Sequence, residues 1–272
     1  MKKYFVILVF FLTSTWHLCG QDVVATTSIL ASVIKDIAGE KLEVVTLVPA
    51  SSCPGHFDLK VTHLTSIKKS ALVFAHGFEE YLDKIMLSVG ESQCRPFIIK
   101  TEGSWFLPDI QISVYEKIGN ILSVRFPEYR DYFEKNKGKV ESEIVRTGIA
   151  VKKMIAEKKL AGSPVICNEH IKEMLEYMGF KVVGTYGRKE DLTVSDIKTI
   201  IREANKKNVI LVVDNLQAGP DTGLVIAEQL KISHVAISNF PGVLPKAPTL
   251  RQTLYENAKR IIYVYGTKNK TY

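Results

Sequence analysis

Two stretches of this chain pair a cysteine with a histidine three residues further on: Cys53-x-x-His56 in SSCPGHFDLK and Cys167-x-x-His170 in VICNEHIKEM. A deprotonated thiol and a neutral imidazole are soft donors. Two of each around one ion make a tetrahedral set that suits zinc, or copper in its reduced state. Such a site requires the two pairs to meet in space. The alternative is that Cys167 packs as a small apolar residue and His170 starts a helix at the surface. Cys53 beside His56 is also a nucleophile next to a base, the beginning of a thiol enzyme, although no third orienting group is evident.

The elements that must position these residues follow a clear alternation. Short β-rich runs at 23–29, 42–48, 71–77 and 96–101 are separated by amphipathic helical stretches. The same order resumes with strands at 164–167, 181–187, 209–215 and 233–240. This pattern predicts an α/β fold of two lobes, each with a mainly four-stranded parallel sheet flanked by helices. Between them, residues from Ile110 to Leu160 lack strand character. Pro127 sits at a favoured first-turn position for a long linking helix, which Gly138 could bend. The expected divisions are a leader over 1–20, an N-terminal lobe over 21–109, a helical linker over 110–160 and a C-terminal lobe over 161–272. In open parallel sheets, ligands bind beyond the carboxyl ends of the strands. Both Cys-x-x-His pairs lie at such ends, one per lobe. His76 ends the third strand at the rim of the same cleft. Trp105 and Tyr186 could line it or serve in packing. His63 and His234 read as surface or packing residues, and Cys94 as structural. No Gly-rich phosphate loop is present.

Composition narrows the function classes. The chain has 272 residues, 46% of them hydrophobic and 24% charged, which suits a globular protein with a real core. Lys2 and Lys3 precede an apolar run from Tyr4 to Leu12, the layout of a secretory signal and too short to span a bilayer. The mature protein is therefore expected to be exported, periplasmic or attached at the cell surface. Cys19 is a possible lipid-attachment point, although Trp16, His17 and Leu18 before it are bulky. Without Cys19, the chain keeps Cys53, Cys94 and Cys167, an odd set that argues against a disulfide framework. The net charge is +7, but the lysines are spread over helix faces and no nucleic-acid module is recognisable.

With the strand ends read in order, the chain resembles the metal-binding solute-binding proteins of ABC transporters, the family that captures zinc, manganese or iron outside the membrane. The resemblance starts with VVATTSILASVIKDIAGEKLEVVTLVP and continues through GHFDLKVTHLTSIKKSALVFAHGFEEYL and FPEYRDYFEKN. It resumes at HIKEMLEYMGFKVV, TVSDIKTIIREANKKNVILVVDNLQ and IAEQLKISHVAISNFPG. It implies a monomeric receptor, not an enzyme, that holds a transition metal in the interlobe cleft and delivers it to an ABC permease. Zinc is the leading cargo, with manganese, iron or copper as others. Nucleic acid is not an implied partner, and the membrane is one only through a lipid at Cys19.

The family usually ligates its ion with a His, a second His, a His or Glu, and an Asp or Glu. His56 matches the first position. Gly103, two residues before Trp105, stands at the second, Asn168 at the third and Asn239 at the fourth. Three usual ligands are thus replaced, and the acidic, His-rich loop of some zinc members is missing. One reading is that Cys53, Cys167 and His170, each beside an old ligand position, take over with His56. The other keeps the scaffold for a non-metal or chelated ligand. Asp214, where the family has a Glu-rich turn, is placed to supply a carboxylate or to help hold the lobe closed.

Overall fold

The computed structural model describes residues 23–89, 95–219 and 221–268. The leader over 1–20, Cys19 and Cys94 lie outside them. Among the described residues, no helix is long and apolar enough to cross a membrane.

The first half runs β1 (Val23–Ala25), α1 (Ser28–Ala38), β2 (Val44–Thr46), α2 (Val61–Lys69), β3 (Leu72–Ala75), α3 (Leu82–Val89) and β4 (Phe97–Ile98). Two helices follow, α4 (Pro108–Arg125) and α5 (Arg130–Glu157). The second half runs β5 (Pro164–Asn168), α6 (Lys172–Met178), β6 (Lys181–Tyr186), α7 (Val194–Lys206), β7 (Leu211–Asn215), α8 (Asp221–Leu230), β8 (Ser233–Ile237) and α9 (Leu250–Lys268). Each half forms one parallel sheet, in the orders β2-β1-β3-β4 and β6-β5-β7-β8. The two halves therefore repeat one topology, as the alternation predicts.

Strand alternation gives each sheet two different faces. In β1 and β3, Val23, Ala25, Leu72 and Phe74 join a large central core with α1, α4, α5 and α9. Val24 and Val73 turn the other way, onto Leu47, Ile67 and Ile85 of an outer layer. The second sheet divides in the same manner. Val165, Cys167, Leu211 and Val213 face the central core, whereas Ile166 and Val212 face Ala204, Ile226 and Ala227.

The long linking helix is α5, whose 28 residues span about 42 Å at 1.5 Å per residue. It starts later than the Pro127 signal suggests. Pro127 opens a single 3₁₀ turn and holds Phe126 out of the helical region at φ −129°, ψ 68°, so α4 and α5 stay separate. Gly138 sits inside α5 with open space around it and neither breaks the helix nor serves a close contact.

A polar brace ties the lobes together on the helical side. Arg251 of α9 pairs with Asp36 of α1 at 2.6 Å and with Glu143 of α5 at 2.8 Å, and Tyr115 of α4 donates to Asp36 at 2.5 Å. These groups are mostly buried and link four helices. They leave the carboxyl ends of the two sheets to face one another across a cleft.

Candidate functional site

The cleft is a cavity of about 710 Å³ with walls from both lobes. Cys53, His76 and Trp105 come from the first half, and His170, Arg188 and Asn239 from the second. Its floor begins at the ends of β1 and β3. Thr27 caps α1 by accepting from the backbone N–H of Leu30, and its hydroxyl meets His76 Nε2 at 2.8 Å. The His76 ring is 5% exposed, stacked on Phe78 and set edge-on to Trp105. Burial pushes its pKa down to about 4, against the opposing pull of the Glu79 carboxylate. Glu79 is itself held by Thr26 Oγ1 at 2.5 Å and by the backbone N–H groups of His76 and Gly77. His76 is thus a neutral imidazole built into the wall.

Cys53 and His56 lie beyond β2 in the loop after Pro49. Pro54, Gly55 and His56 form one 3₁₀ turn, with Pro54 at its start. The turn leaves Cys53 half-buried against the cavity and His56 exposed, outside the residues that line it. Arg188, at the end of β6, crosses from the other lobe onto both. Its Nη2 donates to Cys53 Sγ at 2.7 Å and its Nη1 to His56 Nε2. A guanidinium only donates, so His56 carries its own proton on Nδ1 in this arrangement. Cys53 and His56 are therefore both covered by a fixed positive charge. Two unit charges 4 Å apart repel by roughly 4 kcal/mol at an effective dielectric near 20, and a divalent ion would meet about twice that.

The second Cys-x-x-His stretch ends differently. Cys167 lies inside β5, opposite Thr185 of β6 and Val213 of β7, and is fully buried in the central core. Burial pushes its thiol up to about 12, with the Glu176 carboxylate adding to the shift. The expectation that Cys167 joins a metal site is corrected here: its strand phase points it inward, away from the cleft. His170 follows in a 3₁₀ turn, lines the cavity and stays exposed, with Nε2 4.0 Å from Glu169. Among the described residues, no group of three or more His, Cys, Asp and Glu side chains is placed to hold a metal ion. Of the predicted four, Cys53 and His170 line the cavity, His56 joins Cys53 through their shared contact with Arg188, and Cys167 is turned into the core.

The remaining candidates also divide. Trp105 and Asn239 line the cavity. Asn168 does not. Its Oδ1 accepts from the His170 N–H, and its amide reaches the carbonyls of Tyr186 and Gly187, so it builds the turn after β5. Asp214 is 1% exposed and bonded to Tyr186 Oη at 2.7 Å and to His234 Nε2 at 2.7 Å. It does not line the cavity and is committed to this network. Any Cβ at Gly223 would run into its carboxylate and the Tyr186 hydroxyl, so only glycine lets α8 approach there. His234, read as a packing residue, is one arm of this network. Gly103 has φ +101°, and a Cβ there would lie 2.9 Å from Ile110 and 3.0 Å from Glu173 Oε2. A side chain at this position would be strained by the positive φ and would have to displace the tips of Ile110 and Glu173.

The sequence reading passed over three bridging residues. Arg188 is one. Gln217, just after β7, donates to the Ala50 carbonyl of the first lobe at 2.9 Å and to Ser238 at 3.0 Å. Glu173 of α6 accepts from the Ser104 N–H of the first lobe at 2.5 Å. Arg188 and Gln217 stood at strand ends, where the topology rule points. Their charge and amide types did not mark them as ligands.

The sequence profile of the family described as zinc-uptake complex component A, periplasmic (ZnuA), matches residues 23–263. No curated protein matches the chain. Among similar solved structures is a crystal structure of ZnuA, 16% identical, covering 90% of this chain and 99% of that one with a TM-score of 0.74. Another is the manganese-bound periplasmic metal-binding protein of Candidatus Liberibacter asiaticus, 16% identical with a TM-score of 0.72 over 90% of this chain and 99% of that one. The cadmium-bound form of that protein is 17% identical with a TM-score of 0.72 and the same coverage. At these identities the likeness is one of fold.

Proposed function

The chain belongs to the periplasmic zinc-uptake component A family, and on that premise we propose that it is an exported receptor that captures a transition metal in the interlobe cleft and hands it to an ABC permease. The observation that carries this reading is the cavity itself. It lies at the carboxyl ends of two parallel sheets of identical strand order, where such folds take ligands, and both lobes contribute walls.

Cys53 and His56 are the protein's own donors in this proposal. They sit in one loop, three residues apart, at the mouth. A thiolate and an imidazole favour zinc or cuprous ion over manganese or ferrous iron, so zinc is the leading cargo. Arg188 must release both donors before the ion engages them. Gln217 and Glu173 hold the lobes together across the cleft, while the Arg251 brace limits how far they part. Docking on a permease would then open the cleft by breaking the few polar contacts at its edge. Transport rather than catalysis belongs to the same proposal, since Arg188 occupies the ring nitrogen that His56 would need as a general base. A monomer suffices, because the described cleft is complete within one chain.

The test is metal content by mass spectrometry on protein purified without a His tag. Zinc, manganese, ferrous iron and cuprous ion are each offered as a weak citrate complex. Wild type is expected to retain close to one equivalent of one metal. Cys53→Ser and His56→Ala should each lower retention by at least about tenfold, which corresponds to roughly 1.4 kcal/mol of binding. Retention of no metal from any complex sinks the reading.

A further inference from the structure

Resting on the reading that the cleft takes metal, we propose that its cargo is an anionic chelate, a divalent ion already held by a small polycarboxylate, and that Arg188 is the residue that selects it. The protein by itself offers an incomplete coordination sphere. Cys53 and His56 are two donors, and the described residues nowhere gather three. Gly103 supplies no donor, and Asn168 and Cys167 are committed elsewhere. The cargo must therefore bring the remaining ligands.

The shape of the cleft agrees. An ion with six waters occupies on the order of 180 Å³, taking about 30 Å³ for each water. The cavity is about 710 Å³, several times larger, and fits an organic ligand around the ion. Its charge agrees as well. Lys100, Lys172 and Arg188 line it against Glu169 and Glu173, and Glu173 is already engaged by the Ser104 N–H. Asn239 lines the same cavity with its Oδ1 buried and without a hydrogen-bond partner, so a turn of the side chain would offer that acceptor to a ligand hydroxyl.

Arg188 links these features. Its planar fork now spans Cys53 Sγ and His56 Nε2. A carboxylate of the chelate offers that fork a better, charged partner in the same bidentate geometry. On transfer, Arg188 leaves the sulfur and the imidazole, and both become free for the open positions of the ion. Cys53 gives up its thiol proton to solvent as the metal–sulfur bond forms. A bare cation has no group to draw the guanidinium away and meets its charge instead.

Equilibrium dialysis of the mature protein tests this with three probes: zinc alone, radiolabelled citrate alone, and the zinc–citrate complex. Zinc and citrate are expected to be retained together, near one to one, from the complex. Zinc alone should bind at least about tenfold more weakly. Arg188→Ala should abolish citrate retention and narrow or reverse the ratio of chelate to free-ion affinity, with Arg188→Lys in between. Circular dichroism verifies that both variants fold. Zinc bound equally well with and without citrate, with no citrate retained, overturns this inference and leaves the metal reading standing. An unchanged affinity ratio in Arg188→Ala removes Arg188 as the selector. Retention of neither zinc nor citrate from any probe also overturns this inference, while the metal reading falls only if manganese, ferrous iron and cuprous ion are not retained either.

Discussion

The two Cys-x-x-His stretches share one spacing, yet they stand at different strands, one after the edge strand β2 and one inside the central strand β5, and the lobes use them in opposite ways. In the first lobe the stretch lies in a loop beyond β2, where a 3₁₀ turn sets Cys53 on the cleft wall and leaves His56 exposed beside it, both in contact with Arg188. In the second, Cys167 is still within β5 and His170 is already in the next turn. Strand phase then decides. Cys167 shares the inward face with Val165, so its sulfur packs in the core, and the histidine is left without its partner. Equal spacing in sequence becomes equal geometry only when the backbone between the two residues has the same conformation. The lesson extends to charge. The strand ends of the first lobe place donors at the cleft mouth, whereas Asp214 and Asn168 in the second are spent on holding the fold.

If this contrast is right, substitutions in the second lobe act on stability and those in the first on binding. The largest stability effect is expected for Asp214→Ala. It removes a buried carboxylate bonded to Tyr186 and His234 and should cost roughly 3 kcal/mol in urea unfolding. Zinc–citrate retention should persist in the folded fraction. Lost retention with undiminished stability would reverse the assignment.

The next effect is a pH dependence in the first lobe. His76 is held neutral in the folded state with its pKa pushed down to about 4. The unfolded chain binds that proton nearer pH 6.5, so its contribution is fully present above pH 6.5 and declines as the pH falls toward 4. The slope approaches 1.4 kcal/mol per pH unit, or about 2–3 kcal/mol over the window. Urea midpoints from pH 7 to 4.5 should fall more steeply for wild type than for His76→Gln. Parallel curves would mean that His76 is not held neutral.

The third effect sharpens the cysteine comparison directly. Cys167→Ser places a hydroxyl in an apolar site and should cost about 1–3 kcal/mol with zinc–citrate retention kept. In the native protein, Cys53 should alkylate at least about tenfold faster than Cys167, as read from the two peptides by mass spectrometry. Equal rates would show that the second thiol reaches the cleft after all.

Much of this architecture was legible in the order of residues. Alternating apolar runs and helical stretches specified two parallel sheets. Pro127 marked the junction before the long helix, where it opens a 3₁₀ turn. These are local signals, set by backbone propensity and side-chain period, and they need no partner from elsewhere in the chain. The site was less legible because its features depend on distant contacts. The inward turn of Cys167 depends on where β5 ends. The commitment of Asp214 depends on Tyr186 and His234, which arrive on two other strands. The guanidinium over Cys53 and His56 comes from the opposite lobe, 132 positions away from the histidine it touches. Sequence alone pointed to two lobes, a parallel sheet in each and the strand-end rim on which ligands are met. Only the tertiary structure decided which side chains reach that rim, because a side chain's direction follows from strand phase and its availability from whatever the folded chain has already placed against it.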